Sequence, residues 1–81
     1  MENVPDQFDR EILKQITITK MPFGKYKDIF ICDLPVAYLE WFLRKDGFPN
    51  GKLGTQLALV YEIKSNGLQE ILEGLKKFYR K

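Results

Sequence analysis

Residues 21–42, MPFGKYKDIFICDLPVAYLEWF, decide the expected fold, because they join a polar turn, a short apolar run and an apolar helix. The polar segment, residues 24–28, separates two β-type runs, residues 17–23 and 29–32, and residues 16–19, Ile-Thr-Ile-Thr, alternate between apolar and polar side chains. Alternation of this kind is typical of a strand. The Gly and Asp that bound the segment tolerate the positive φ angles of hairpin connections. The pattern therefore predicts a small β-hairpin over about residues 17–32.

The helix that follows the hairpin is the expected centre of the fold. Asp33 can accept hydrogen bonds from first-turn amides, and Pro35 suits a first helical turn, so a helix is predicted over about residues 34–45. Its first eight residues after Pro35 include one polar side chain, Glu40. A helix that is apolar on nearly all sides is normally buried, so this helix is predicted to be covered by the hairpin and by the later helices.

Three further helices complete the expected architecture. Apolar residues at helical spacing predict an N-terminal helix over residues 6–16, which starts at Pro5-Asp6. Residues 52–65 and 68–80 have the same periodicity, and the two-residue break between them predicts an αα-hairpin. The sequence thus predicts one domain over residues 1–81, of α+β class and mostly helical.

The composition fits a small globular protein and excludes several kinds of function. The chain has 81 residues, of which 44% are hydrophobic and 14% aromatic, so it can build one core. It contains no histidine, which removes the commonest general base and metal ligand. It has no apolar run of about 18 residues, as a membrane span requires, and its first residues lack the apolar core of a signal peptide. We expect a cytoplasmic protein without a membrane partner.

The remaining chemistry-bearing residues do not indicate an enzyme. Asp28 and Asp33 have turn and capping roles, so a metal site built from them and Glu40 is not expected. Cys32 has no histidine partner and lies in an apolar run, where a free cysteine behaves as a small buried hydrophobe. Gly24-Lys25 lacks the upstream glycine and the Ser/Thr of a phosphate-binding loop. We therefore predict no catalytic residue, no metal and no cofactor.

The GKYK loop, residues 24–27, is the candidate contact surface. Lysines on both sides of an exposed aromatic ring can touch phosphates while the ring stacks on a base. The alternative is a solvated loop tip whose tyrosine packs back onto the core. The predicted contacts to nucleic acid or another ligand are Lys20, Lys25, Tyr26, Lys27 and Lys52, with Tyr38 and Trp41 as the platform beneath them.

The two C-terminal helices carry a weaker signal for nucleic-acid binding. A helix-turn-helix DNA reader over residues 53–79 is disfavoured, because both helices are too long for that motif.

Positive charges in the last turns of a helix complement its dipole. This role is expected for Lys76, Lys77, Arg80 and Lys81.

Seven short segments carry a resemblance to a known family. They are MPFGKYK (21–27), DLP (33–35), YLEWF (38–42), GFP (47–49), GKLG (51–54), EIK (62–64) and NGL (66–68). They resemble the small bacterial family labelled "putative quorum-sensing-regulated virulence factor", whose label describes an expression context. The shorter GKYK, DLP and YLxW core is similar to a module appended to some DEDD-type exonucleases. That resemblance implies an accessory role near nucleic acid without nuclease activity, because the acidic motifs of the nuclease domain are absent.

These observations lead to two hypotheses. The first is a small non-enzymatic cytoplasmic domain that contacts DNA or RNA through the GKYK loop. The alternative is a protein–protein adaptor, or a homodimerising regulatory and virulence-associated protein, that uses an apolar face left over by such hydrophobic helices.

Overall fold

A computed structural model describes residues 10–80, and within them the chain forms four α-helices and one 3₁₀ turn. None of these helices is long and apolar enough to cross a membrane. In chain order the elements are α1 (Arg10–Ile18), the 3₁₀ turn (Ile31–Asp33), α2 (Val36–Lys45), α3 (Lys52–Ser65) and α4 (Gln69–Tyr79). The predicted start of the first helix, at Pro5-Asp6, lies outside the described residues.

The predicted β-hairpin over residues 17–32 is wrong, and the α+β class with it, because residues 10–80 are all-α. Helix α1 continues through the alternating segment to Ile18. Ile16 and Thr17 are both fully buried, since α1 packs against both α3 and α4. The Thr17 hydroxyl donates to the Lys14 carbonyl at 2.7 Å, which satisfies it within the helix. In a helix that is covered on two sides, neighbouring residues can both be buried. The apolar–polar alternation therefore did not mark one buried and one exposed face, as it would in a strand.

The segment between α1 and the 3₁₀ turn is an irregular loop. Its single strand-like contact is an isolated antiparallel bridge between Lys20 and Phe30. The Met21 amide donates to the Ile29 carbonyl at 2.8 Å, but the Ile29 amide donates to the Tyr26 carbonyl within the loop at 3.1 Å, so the pairing stops there. One bridge does not make a sheet, so the loop depends on the helices beneath it for its shape.

The two C-terminal helices begin and end within one residue of their predicted bounds. Gly67 has a φ of 73° and ends α3. The Leu68 amide donates to the Ile63 carbonyl at 3.0 Å, and the Gly67 amide donates to the Lys64 carbonyl at 3.2 Å. This pair of hydrogen bonds is a Schellman motif, which satisfies carbonyls that the helix end leaves free.

Helix α3, and not α2, is the most buried element. It packs against α1, α2, α4 and the 3₁₀ turn, whereas α2 buries only Leu39 and Phe42. The expectation that α2 is the buried centre of the fold is therefore wrong. The residues that α3 buries are Gly54, Gln56, Leu57, Leu59, Val60 and Ile63.

The start of α3 is in direct contact with the connector that precedes it. A Cβ atom added to Gly54 would lie 1.6 Å from the Pro49 carbonyl oxygen, so only glycine allows this approach. The Phe48 ring fills the space beside it, with its centroid 5.9 Å from Phe42 and 6.3 Å from Tyr61. This contact holds α2 against α3.

Asp33 joins the 3₁₀ turn to the C-terminal end of α4. Its predicted role as the α2 cap is wrong, because Pro35 precedes that helix and no side chain caps it. Instead, the Lys76 ammonium donates to Asp33 Oδ1 at 2.7 Å, and Arg80 lies 3.6 Å from Oδ2. Burial raises the pKa of Asp33, but the hydrogen bond and charge of Lys76, together with Arg80, outweigh burial and hold the pKa below its usual value.

Two C-terminal cations thus do more than complement the helix dipole. Arg80 Nε donates to the Thr17 carbonyl at the end of α1, at 2.7 Å, and its guanidinium lies 3.9 Å from the Phe30 ring centroid. From α3, the Lys64 ammonium donates to the Leu34 carbonyl at 2.6 Å. These contacts hold the loop and the start of α2 on the helical core. Lys81 lies outside the described residues.

Candidate functional site

The loop before α2 and one face of α2 enclose a cavity of about 630 Å³, which we call the aromatic groove. Most of its surface is apolar, and its charged lining residues are both cations. The residues that define it are Phe23, Lys25, Tyr26, Tyr38, Trp41 and Arg44.

Three aromatic rings form a continuous array along the aromatic groove. Tyr38 and Trp41 are three residues apart on α2, which places them on one helix face. Their rings are nearly parallel, with an interplanar angle of 4° and centroids 6.3 Å apart. The Tyr26 ring packs onto Tyr38 from the loop, at 4.6 Å and 58°. The array joins loop and helix into one surface.

Tyr38 is the central ring and is tightly surrounded. A Cβ atom added to Gly24 would lie 3.2 Å from the Tyr38 hydroxyl oxygen, so the loop backbone approaches the ring closely. Burial raises the pKa of Tyr38, and the neighbouring Tyr26 raises it further. Tyr38 therefore keeps its proton at neutral pH, and its hydroxyl can donate one hydrogen bond.

The outer rings of the aromatic groove are open to solvent. Phe23 is 46% exposed and Trp41 is 44% exposed. Flat rings with free edges and faces can stack on a planar ligand or pack against an apolar one. The outer rings of the groove can therefore bind a ligand with a flat or an apolar group.

Cations lie close to the rings. Lys25 Nζ is 5.6 Å from the Tyr26 ring centroid, and Lys45 Nζ is 5.8 Å from the Trp41 ring centroid. Both distances are within the range of a cation–π interaction. With Arg44 in the lining, the aromatic groove combines stacking surfaces with positive charge, which suits an anionic ligand with flat groups.

The structure brings together four of the seven predicted contact residues, because Lys25, Tyr26, Tyr38 and Trp41 all line the aromatic groove. Lys20 lies instead beside Phe30, with its Nζ 5.4 Å from that ring centroid. Lys27 is exposed but does not line the groove. Lys52 lines a different cavity, between α1 and the start of α3.

Sequence reasoning missed Phe23 and Arg44 as groove residues. Arg44 follows Trp41 by three residues, and Trp41 follows Tyr38 by three, so helical spacing already places all three near one face. Phe23 belongs to the loop, whose course depends on long-range contacts. The sequence therefore contained a signal that could have placed Arg44 in the groove, namely helical spacing, but it contained no such signal for Phe23.

The one cysteine is buried away from the aromatic groove. Cys32 accepts a hydrogen bond from Arg80 at 3.2 Å. Burial, and then the charge of Asp33, raise the pKa of its thiol above the usual value, in spite of nearby cations. The group is therefore protonated at neutral pH. Among the described residues there is no group of three or more potential metal ligands.

Comparison with known proteins places the chain in a family. The model of the family described as "Putative quorum-sensing-regulated virulence factor" matches residues 9–75. Two curated relatives, each named "Uncharacterized protein YpeB", come from Escherichia coli strain K12 and Escherichia coli O157:H7. Each is 48% identical to this chain over 69 residues, which cover 85% of this chain and 96% of the relative.

The match includes the aromatic groove and most of the helical core. No solved structure matches the chain. The family description refers to quorum sensing and virulence and names no molecular activity, and the resemblance to an exonuclease module stays a prediction. The chain belongs to the family described as "Putative quorum-sensing-regulated virulence factor".

Proposed function

We propose that this domain is a non-enzymatic binding module of the cytoplasm whose aromatic groove takes single-stranded nucleic acid. The observation that carries the proposal is the parallel pair Tyr38 and Trp41, with Trp41 open to solvent and two cations in the same groove lining. Proteins that bind single strands combine stacking rings with basic residues that follow the phosphates. Lys25 and Arg44 are the groove cations in this arrangement.

The shape of the site favours a single strand over a duplex. A ring can stack on a base only if the face of the base is free, and in a duplex both faces are covered by neighbouring pairs. Phe23 and Trp41 expose their rings at the border of a concave groove. A splayed base can stack on an exposed ring, and its phosphate then lies near the cations that line the groove.

Binding can be followed through Trp41, which is the only tryptophan of the chain. We expect a labelled single-stranded oligonucleotide to quench Trp41 fluorescence and to raise the anisotropy of the label, and a duplex of the same sequence to bind more weakly. Affinity should fall as salt is raised, because phosphate contacts release counterions. Trp41→Ala should weaken binding about tenfold, which corresponds to the loss of one base–aromatic stack.

A pair of charge reversals tests where the single-stranded oligonucleotide binds. Lys25→Glu changes a groove cation, whereas Lys52→Glu makes the same change in the other cavity. We expect Lys25→Glu to weaken oligonucleotide binding several-fold more than Lys52→Glu. Equal losses in both variants, binding that is indifferent to salt, or full affinity in Trp41→Ala would contradict the proposal.

A protein–protein adaptor is the second candidate, and the largely apolar surface of the aromatic groove favours it. Phe23 and Trp41 at its border suit an apolar or aromatic side chain of another protein as well as a base. In this case oligonucleotides would leave Trp41 fluorescence unchanged at low salt. That result would reject the nucleic-acid proposal and leave the adaptor in its place.

A further inference from the structure

Helix α4 has an exposed apolar face that belongs to different elements from the aromatic groove. The helix packs against α1 and α3, and Leu72 is its one fully buried side chain. Leu68 is 47% exposed and Ile71 is 44% exposed. Large apolar side chains that lie together on a surface indicate an interaction site.

The exposed residues of α4 have the spacing of a helix–helix seam. Ile71, Gly74 and Phe78 are three and then four residues apart, as are the inward positions of a coiled coil. The half-buried Leu75 lies at the edge of this face and packs against the core. Phe78 is 65% exposed, and its ring also contacts Tyr79. The seam therefore continues over the length of the helix.

Gly74 gives this seam a notch at its middle. A Cβ atom added there would meet no described atom within 4 Å beyond its chain neighbours and the nearby backbone of its own helix, so packing inside the molecule does not require glycine at this position. Glycine weakens a helix interior, but it lets another backbone approach closely. The notch thus provides room for a second helix at the centre of α4.

The charges beside the seam identify the partner. Glu70 and Lys77 are both exposed, and they are seven residues apart, so they lie on the same edge near opposite ends of the helix. A second α4 that runs in the opposite direction would place its Lys77 against Glu70 and its Glu70 against Lys77. In a parallel pair this edge would instead face the opposite edge of the second helix, so Glu70 and Lys77 would not meet.

We propose that two copies of this chain associate through α4 in an antiparallel, two-fold symmetric pair. A two-fold interface uses the same patch on both copies, so the patch must be complementary to itself. The face of α4 meets this requirement through its apolar seam, its central notch and its oppositely charged ends. One helix face buries less than the roughly 800 Å² per partner of a stable complex, so the dimer is weak and reversible.

Sedimentation equilibrium over a range of protein concentrations tests the pairing. The wild-type chain should show a reversible monomer–dimer equilibrium. Glu70→Lys and Lys77→Glu should each weaken it about tenfold, because either change converts two attractive contacts into repulsive ones. Glu62→Lys, a charge reversal at an exposed position of α3, is the control and should leave the equilibrium unchanged.

Mixing the two α4 variants separates this arrangement from other modes of association. In a mixed dimer of Glu70→Lys with Lys77→Glu, both contacts are attractive again, so the mixture should associate more tightly than either variant alone. The double variant should associate as the wild type does. Circular dichroism checks that each variant keeps its helices.

Three results would overturn the proposal. They are a wild-type chain that is monomeric at every concentration, single variants that dimerise as strongly as the wild type, and a mixture that associates no better than its components. Because α4 contributes no residue to the aromatic groove, oligonucleotide binding can fail while the dimer is confirmed, and the reverse also holds.

Discussion

Helices α2 and α3 are both rich in apolar residues, but they occupy opposite positions in the molecule. Helix α3 packs against α1, α2, α4 and the 3₁₀ turn and buries six of its residues. Helix α2 buries two residues and exposes Val36, Trp41 and Leu43. The number of neighbours around a helix, and not its apolar content alone, therefore decides its burial. An apolar helix with few neighbours keeps a face available for a ligand.

The largest expected effect is at the start of α3. Gly54→Ala places a Cβ atom 1.6 Å from the Pro49 carbonyl oxygen, which is a backbone atom that cannot turn aside. The connector or the helix must shift, so we expect the free energy of unfolding to fall by more than about 3 kcal/mol. Urea unfolding measures the change.

Gly74→Ala is the matched control, because it makes the same substitution in α4 where a Cβ has free space. It should raise the free energy of unfolding by about 0.5–1 kcal/mol through helix propensity. If the two variants had similar stability, the close contact between α3 and its connector would be disproved.

Removal of a leucine side chain compares the two helices directly. Leu57→Ala empties a fully buried site in α3 and should lower the free energy of unfolding by about 3 kcal/mol. Leu43→Ala makes the same change in α2 at a side chain that is 45% exposed, and it should lower the free energy by less than about 1 kcal/mol. Thermal or urea unfolding measures both. Equal losses would mean that α2 is as buried as α3.

After Gly54→Ala and Leu57→Ala, the next smaller loss is expected at Asp33, which links the segment before α2 to α4. Asp33→Asn removes the charge that Lys76 and Arg80 contact. Because the carboxylate is partly exposed, we expect a loss of about 1 kcal/mol at neutral pH. Since the folded-state pKa of Asp33 is lowered, its stabilisation is present above the unfolded-state pKa and is lost as pH falls through the folded-state pKa.

Unfolding at neutral and strongly acidic pH tests that sign. The stability difference between the wild type and Asp33→Asn should shrink on acidification. Asp28→Asn, the same substitution at an exposed loop residue, should not reproduce this behaviour. A difference that stays constant with pH would show that the ion pairs of Asp33 contribute no stability.

Local patterns predicted α3 and α4 well and the loop before α2 badly. The bounds of α3 and α4 depend on helical periodicity and on Gly67, and both signals act over a few residues. The alternation at residues 16–19 is typical of a strand, yet residues 16–18 are the end of α1, which packs against two neighbouring helices. A short alternating segment does not reveal how many sides of it are covered.

The candidate site also contains residues whose positions the sequence predicted and residues whose positions it did not. Tyr38 and Trp41 were predictable as a pair because helical spacing alone places them on one face. Lys52 was expected beside them, but it lies at the start of α3, next to a different cavity. Its position follows from the packing of α3 against α1, which sequence spacing does not describe.

The sequence by itself determined most of the helical segments, the break between α3 and α4, and the basic and aromatic residues near the GKYK loop. These depend on backbone hydrogen bonds and side-chain spacing within a few residues. Only the tertiary structure decided that α3 forms the core, that α2 lies at the surface, and that Tyr26 packs onto Tyr38. Burial and cavity shape depend on contacts between residues far apart in the chain, so the same apolar pattern can become either core or binding surface.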